Sequence, residues 1–349
     1  MGDLNIKLPF PRKIVKCMFL FNLYVAMLCF ACIVTSVHAQ GADASGSKIE
    51  DQLRRHLRKL DRWGLTQLLF TEKQVDQRQM DRARNSTNPE ELFQLAKDED
   101  ESVRFYVSAN KYTPLDVQME LAQDQNEIVR SGLASSLQIS VREEKFRKEI
   151  KTRIAKKLMR DELPVVRLAL ANNIFLTGAI YEELALDSDP VIRLNLSKNP
   201  RASRNTLTLL SNDIFDLVRA NVGRHHNTPR NILASLSTDD AVSVRAAVAT
   251  NVNISASMLE TLGEDSENEV LRAVARQHNT RLATLKILAN SEDTEIQLAI
   301  AKNPNTSREL LTLLASGKRD ESVKNKAQSR LEPILRNEIR EDVLERWSQ

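Results

Sequence analysis

Three sets of residues in this 349-residue chain have types and spacings that could do chemistry. The first is a charged double column. Asp98, Asp124, Asp161, Asp187, Asp213, Asp239 and Asp265 each stand five residues before a Val or Ile, and Arg104, Arg130, Arg167, Arg193, Arg219 and Arg245 directly follow that residue. Carboxylates and guanidinium groups in register could form a charged track for a ligand, or could satisfy turn backbone groups and pair between stacked layers. The second reading is favoured, because a catalytic acid should not recur in every unit. The second set is a column of cations, Lys198, Arg224, Arg276 and Lys302, interrupted by Thr250. The third is the stretch 141–160, where Arg142, Lys145, Arg147, Lys148, Lys151, Arg153, Lys156, Lys157 and Arg160 outnumber Glu143, Glu144 and Glu149 by six. That excess suits an anionic partner or a membrane surface; the plainer reading is a solvated helix face.

No catalytic constellation accompanies them. There is no Gly-rich phosphate loop, no HExxH and no GxSxG. His225 and His226 are adjacent, and His278 shares a column with His226 two units away, an arrangement that does not suit a shared metal. All three cysteines, Cys17, Cys29 and Cys32, fall within the first forty residues, so the rest of the chain has no disulfide, thiolate metal site or cysteine nucleophile. No catalytic, metal or cofactor-binding residue is therefore expected, and no small-molecule cofactor. Asn85, Asn195, Asn253 and Asn305 head Asn-x-Ser/Thr sequons, read as coincidences of the repeat.

The elements that must position these columns follow from their stride. Ile192, Val218, Val244, Val270 and Ile296 each open the same phrase 26 residues after the last, and Val103, Val129, Val166 and a degenerate Val323 extend it. A fixed stride of this size means stacked repeats. Few glycines and aromatics beside many Ala, Leu, Arg and Glu favour helices. Leu95, Leu121, Leu158, Leu184, Leu210, Leu236, Leu262, Leu288 and Leu314 share a second core column, flanked by small residues such as Ala96, Ala122, Ala185 and Gly263 that let neighbouring helices approach. Thr113, Thr228, Thr280 and Thr306 fit N-caps, with Pro114 and Pro229 at the first helical position. Asn110, Asn173, Asn199, Asn251 and Asn303, with His225 and Gln277 in the same column, fit residues that end a helix in the left-handed conformation.

Between Val129 and Val166 the stride is longer by 11 residues, about three helical turns, which lengthens a helix without rotating its apolar face. Ser140 and Glu143 have capping-box spacing, and Val141, Phe146, Ile150, Ile154 and Leu158 form a stripe, so a helix over 141–160 is expected, about twice its counterparts. Ahead of the array, helices over 47–64 and about 72–84 read as an N-terminal cap, and Glu332–Trp347 as a C-terminal one.

The first 39 residues are set apart. Arg12, Lys13 and Lys16 precede an uncharged run from Cys17 to Val37, and Val37-His38-Ala39 suits cleavage as an export signal. The alternative is an uncleaved anchor, since about 20 apolar residues span a bilayer; acylation at Cys29 or Cys32 is a weaker one. Losing this segment's four basic residues and one acidic residue leaves 46 of each, so the net charge of +3 falls to zero. A neutral exported chain is a poor nucleic-acid binder.

Phrases such as Val-Arg-Ala-Ala-Val-Ala-Thr-Asn over 244–251, and Asn303-Pro304-Asn305-Thr306-Ser307 leading to Leu311, Leu314 and Ala315, resemble leucine-rich repeat variant units and the wider HEAT-like α-solenoids. The resemblance spans about Asn85 to Arg330 and implies a right-handed superhelix of short paired helices, some of them 3₁₀. The founding type of the variant family also carries a cysteine-ligated iron-sulfur cluster, which cannot be carried over to a chain with no cysteine after Ala39. The expected organisation is all-α: signal 1–39, leader and cap 40–97, eight to nine repeats over 98–330 and a C-terminal cap over 331–349. The expected function is an exported non-enzymatic scaffold for a protein or peptide partner. The alternative is attachment to an anionic polymer or membrane surface through 141–160.

Overall fold

Helices of seven to ten residues do not hold in water by themselves, so a chain of short helices must gain its stability from packing between them. The computed structural model describes residues 77–139 and 144–348. The chain divides into two units, Met1–Gln74 and Val75–Gln349, and every described element belongs to the second. The signal segment and the predicted 47–64 helix lie outside the described residues, as do residues 140–143.

Nineteen α-helices and no strand are found among the described residues. They are α1 (Gln77–Asn85), α2 (Pro89–Leu95), α3 (Glu101–Ala109), α4 (Leu115–Leu121), α5 (Glu127–Ser136), α6 (Lys145–Met159), α7 (Pro164–Asn172), α8 (Gly178–Leu184), α9 (Pro190–Lys198) and α10 (Arg204–Leu210). Then come α11 (Asp216–Arg224), α12 (Arg230–Leu236), α13 (Val242–Ala249), α14 (Ala256–Leu262), α15 (Asn268–Arg276), α16 (Leu282–Leu288), α17 (Thr294–Lys302), α18 (Arg308–Ala315) and α19 (Glu321–Ser348). Each odd-numbered helix pairs with the even-numbered helix after it, which makes the array an α-solenoid of two-helix repeats. None of these helices is 3₁₀.

Odd-numbered helices pack on odd-numbered neighbours from α1 to α19, whereas close approach between even-numbered helices is concentrated in α4, α6, α8 and α10. The cause is visible in the residues. Val103, Val129, Val166, Ile192, Val218, Val244, Val270, Ile296 and Val323 are fully or almost fully buried, as are the Leu residues of the second column. Five residues after the Val or Ile, small buried residues such as Ser108, Ala134, Ala171, Ser197, Gly223 and Ala249 permit close crossing, and on the facing side a Cβ on Gly132 would meet Ser108 Oγ at 2.5 Å. Gly263 plays the same part between α14 and α16, where a Cβ would lie 2.6 Å from Thr284 Cγ2.

Polar columns tie the layers together. Arg193 donates from Nε and Nη2 to both carboxylate oxygens of Asp213 in the next layer, at 2.6 and 3.1 Å, while its Nη1 donates to the Asp187 carbonyl of its own turn. Arg104–Asp124, Arg130–Asp161, Arg167–Asp187, Arg219–Asp239 and Arg245–Asp265 repeat that geometry. Each Asp also accepts the N–H two residues ahead, as Asp213 does from Phe215, closing the turn before an odd-numbered helix. The hydrogen bond from Arg245 holds the Asp265 carboxyl below the usual carboxylate range despite partial burial. Where Leu271 replaces the Arg, Arg272 pairs with Asp293 instead, and Gln297 donates to its own turn carbonyl at Ser291.

Two turn assignments differ from the sequence expectation. No non-glycine residue has positive φ among the described residues, and the Asn column is extended, with Asn251 following its helix and Asn303 at φ −67°. These amides are cross-layer clamps. Asn251 Nδ2 donates to the carbonyls of Gly223 and His225 at the end of the preceding odd-numbered helix, and its Oδ1 accepts the Asn253 N–H. They satisfy C-terminal carbonyls that a helix leaves open. The Thr column does not N-cap. Thr113, Thr228, Thr280 and Thr306 donate backwards to the carbonyls of Val107, Val222, Val274 and Ile300, and Pro114 and Pro229 occupy the N-cap positions.

Element ends also differ. The described residues of α1, Gln77–Asn85, stack on α3 as any odd-numbered helix does, with Asn110 donating to carbonyls at the end of α1. The inserted helix begins at Lys145 rather than at 141, with Glu144 and not Ser140 before it. The last repeat helix and the predicted cap region are continuous, since α19 runs through Pro333 as one 28-residue helix. Its first turns close the array through Val323 and Ala327, and Arg330 takes the Asn position, donating to the carbonyls of Ala301 and Asn303.

Removing one partner of a buried, hydrogen-bonded charge pair leaves the other uncompensated. Arg193→Ala is therefore expected to cost about 3–5 kcal/mol, and the Arg193→Ala, Asp213→Ala double variant less than the two single losses together, measured by urea unfolding. Asn251→Ala should cost about 1–3 kcal/mol. Asn251→Asp should cost more at neutral pH, since a carboxylate cannot donate to the two carbonyls.

Candidate functional site

With the Arg, Asp, Asn and Thr columns engaged between layers, the surface left for a partner is what those columns do not use. Lys198, Arg224, Arg276 and Lys302 end α9, α11, α15 and α17 and are all exposed. They therefore lie on the closely stacked side of the array. Thr250 holds the same position after α13, its hydroxyl donating to the Ala247 carbonyl.

These cations are not equivalent. Arg276 Nη2 lies 3.3 Å from Glu295 Oε2, nineteen residues on in the next odd-numbered helix. The same step from Lys198 reaches Leu217 and from Arg224 reaches Ser243, whose hydroxyl donates to Asp216. Lys198 and Arg224 make no ion pair among the described residues. A column missed in the sequence explains the difference: Ile128, Val165, Val191 and Leu217 stand one residue before the Val or Ile, followed by Ser243, Glu269 and Glu295. The residues of this column are exposed or half-buried, apolar along α5 to α11 and acidic at α15 and α17. Its stride of 26, or 37 across the insertion, was the available signal. A shallow depression of about 200 Å³ lies where Arg276, Glu295 and Lys302 meet.

A second missed column, Asn227, Asn253, Asn279 and Asn305, also joins layers, as where Asn253 Nδ2 donates to the His226 carbonyl and Asn305 Nδ2 to that of His278. Asn195, another sequon residue, is buried and donates to the Val191 carbonyl.

The basic insertion is not uniformly available. Lys145, Arg147, Arg153, Lys157 and Arg160 are exposed and Lys148 is half-buried. Lys151, predicted on the binding face, is only 9% exposed, because Ile154, Ala155 and Leu158 turn that side of α6 against the array. Lys156 lies 3.3 Å from Glu183. Arg142 lies outside the described residues. The predicted apolar stripe holds only in the second half of α6: Ile154 and Leu158 are buried, but Phe146 is 70% exposed.

His225 takes the Asn position and keeps its bonding. Its Nε2–H donates to the Asn199 carbonyl at 2.9 Å, and Nδ1 accepts the Asn227 N–H at 3.1 Å, which defines a neutral imidazole. Burial holds its pKa below the ordinary value, opposed by the hydrogen bond to Asn199 and assisted by the stacked His226 at 4.7 Å. No group of three or more His, Cys, Asp or Glu suited to a metal occurs among the described residues, and no described helix is long and apolar enough to cross a membrane.

The neutral form is required in the fold, so the unfolded chain binds more protons once the pH drops below about 6.5. The His225 contribution to stability is therefore complete above that pH and declines as pH falls through the lowered folded value. Thermal unfolding across this range should show that decline, and His225→Asn, which restores the usual amide, should reduce it.

No family model matches this chain, and no curated protein does. Among solved structures it is similar to one described as a leucine-rich repeat variant with a novel repetitive structural motif, at 24% identity and a TM-score of 0.42, over 60% of this chain and 88% of that one. It is also similar to computationally designed armadillo repeat proteins for modular peptide recognition, at 18% identity and a TM-score of 0.16, over 73% of this chain and 98% of the other. Both likenesses are to repeat proteins; the helical-repeat architecture itself is defined here by the packing of α1 to α19.

Proposed function

We propose that the chain is a non-enzymatic scaffold that binds a protein or an extended peptide along the closely stacked side of its array, across α7 to α13. The observation that carries this reading is the coincidence of Val165, Val191 and Leu217, incompletely buried, with Lys198 and Arg224, which lack carboxylate partners among the described residues. A peptide with alternating apolar and acidic side chains complements such a strip. Apolar contact supplies affinity, and the two cations supply register and a faster encounter. Export through residues 1–39 is part of the proposal and places the scaffold outside the cytoplasm.

Attachment to an anionic polymer or membrane surface through α6 is a second reading, favoured by the exposed Lys145, Arg147, Arg153, Lys157 and Arg160. Burial of Lys151 and the Lys156–Glu183 contact leave it fewer cations than the sequence count suggests.

Lys198 and Arg224 are exposed and make no ion pair among the described residues, so Lys198→Glu with Arg224→Glu should leave unfolding unchanged. Affinity capture with the wild-type chain and with this double variant, both from the exported fraction of its own cells, tests the reading. A partner retained by the wild type and lost from the variant is the expected result; identical recovery by both would remove the strip from consideration.

A further inference from the structure

The insertion between α5 and α7 does not hold the layers together. Arg130 reaches Asp161 across it, and Asn173 donates to the carbonyls of Ala134 and Leu137, as in repeats without an insertion. What the added residues build is a wall. α6 has 15 residues where α4 has 7, so it extends beyond the common helix length by roughly 12 Å. Between this overhang and α4 lies an open groove of about 900 Å³.

Tyr112 and Met119 supply apolar surface on one side of the groove, and Phe146 and Ile150 on the other. Tyr112 is 49% and Phe146 70% exposed. A single exposed aromatic is unremarkable, but here both aromatics converge on one concavity. The charges are divided. Arg147 lines the α6 wall, with exposed Lys145 on the adjoining turn, while Asp116 and Glu120 line the α4 wall. Lys111, at the α3–α4 turn, sits over the Tyr112 ring at 4.8 Å.

The geometry points to this groove as a docking site for a short acidic amphipathic helix of a partner protein, separate from the strip across α7 to α13. Two turns of helix match the overhang. Apolar residues at i and i+3 or i+4 would lie between Tyr112, Met119, Phe146 and Ile150. The acidic side of the occupant faces Arg147 and Lys145, and its uncharged side faces Asp116 and Glu120, which fixes its orientation. A flat anionic membrane fits less well, because it would be repelled by Asp116 and Glu120 and could not reach the half-buried Met119.

The test is selection of a displayed random peptide library, about twelve residues long to allow three turns, on the immobilised full chain. Selected peptides are then measured against Phe146→Ser, Arg147→Glu and the Lys198→Glu, Arg224→Glu double variant, each first shown to unfold as the wild type does. The expected result is acidic peptides with paired apolar residues, whose affinity drops about tenfold or more with Phe146→Ser or Arg147→Glu and is unchanged in the double variant. Neutral or basic peptides, no enrichment, or peptides sensitive only to the double variant would overturn the groove; the last would at the same time support the strip. Two further measurements count against it: phosphatidylserine vesicles bound through Arg147 with no effect of Phe146→Ser, which makes the site a membrane contact, and self-association abolished by Phe146→Ser, which makes the occupant a second copy.

Discussion

The guanidinium bridge between layers is the interaction on which the rest of the array depends. Each ladder Arg has two obligations that lie in different repeats: its Nη1 neutralises the carbonyl end of its own turn, and its Nε and Nη2 hold the next Asp in a bidentate grip. The planar fork of Arg can meet both at once, which the point charge of Lys cannot. The Asp in turn organises the backbone that launches the next odd-numbered helix. A layer is therefore completed only by its neighbour, and helices too short to persist alone acquire definite ends.

This division of labour explains which changes the array tolerates. An 11-residue insertion leaves the bridge intact, because Arg130 and Asp161 are joined through space and most of the added chain is taken up in α6. Losing the Arg at position 271 and the Asp at position 291 is absorbed by a displaced pair, Arg272 one residue along and Asp293 two residues along. Replacing the clamp amide is absorbed wherever the new side chain still donates across the layer: His225 and Gln277 do so toward Asn199 and Asn251, and Arg330 toward Ala301 and Asn303. The constraint is the donated hydrogen bond rather than the residue type.

The same logic separates structure from function on the surface. Residues that recur in every layer are consumed by the layers, so the proposed partner would have to read what varies. Two features vary. One is the column that changes from Val165, Val191 and Leu217 to Glu269 and Glu295, which leaves the cations Lys198 and Arg224 uncompensated and pairs Arg276. The other is the overhang of α6, which places Phe146 and Arg147 beside α4.

The stride of Val, Leu, Asp and Arg determined by itself that the chain is a stack of two-helix repeats, because a 26-residue recurrence of buried and charged types leaves few other ways to bury one apolar face per helix. It also identified the Arg and Asp columns as partners between layers. Only the tertiary structure decided what the Asn and Thr columns do. A column of identical residues carries no information about direction, and the acceptors of Asn251 lie 26 and 28 residues back, across the layer boundary. The burial of Lys151 and exposure of Phe146 were likewise beyond the helical pattern, since the pattern defines a face but not where the neighbouring helix stops. α6 begins about two turns ahead of the position where α4 begins, and that difference in length turns part of a predicted core stripe into the wall of a groove.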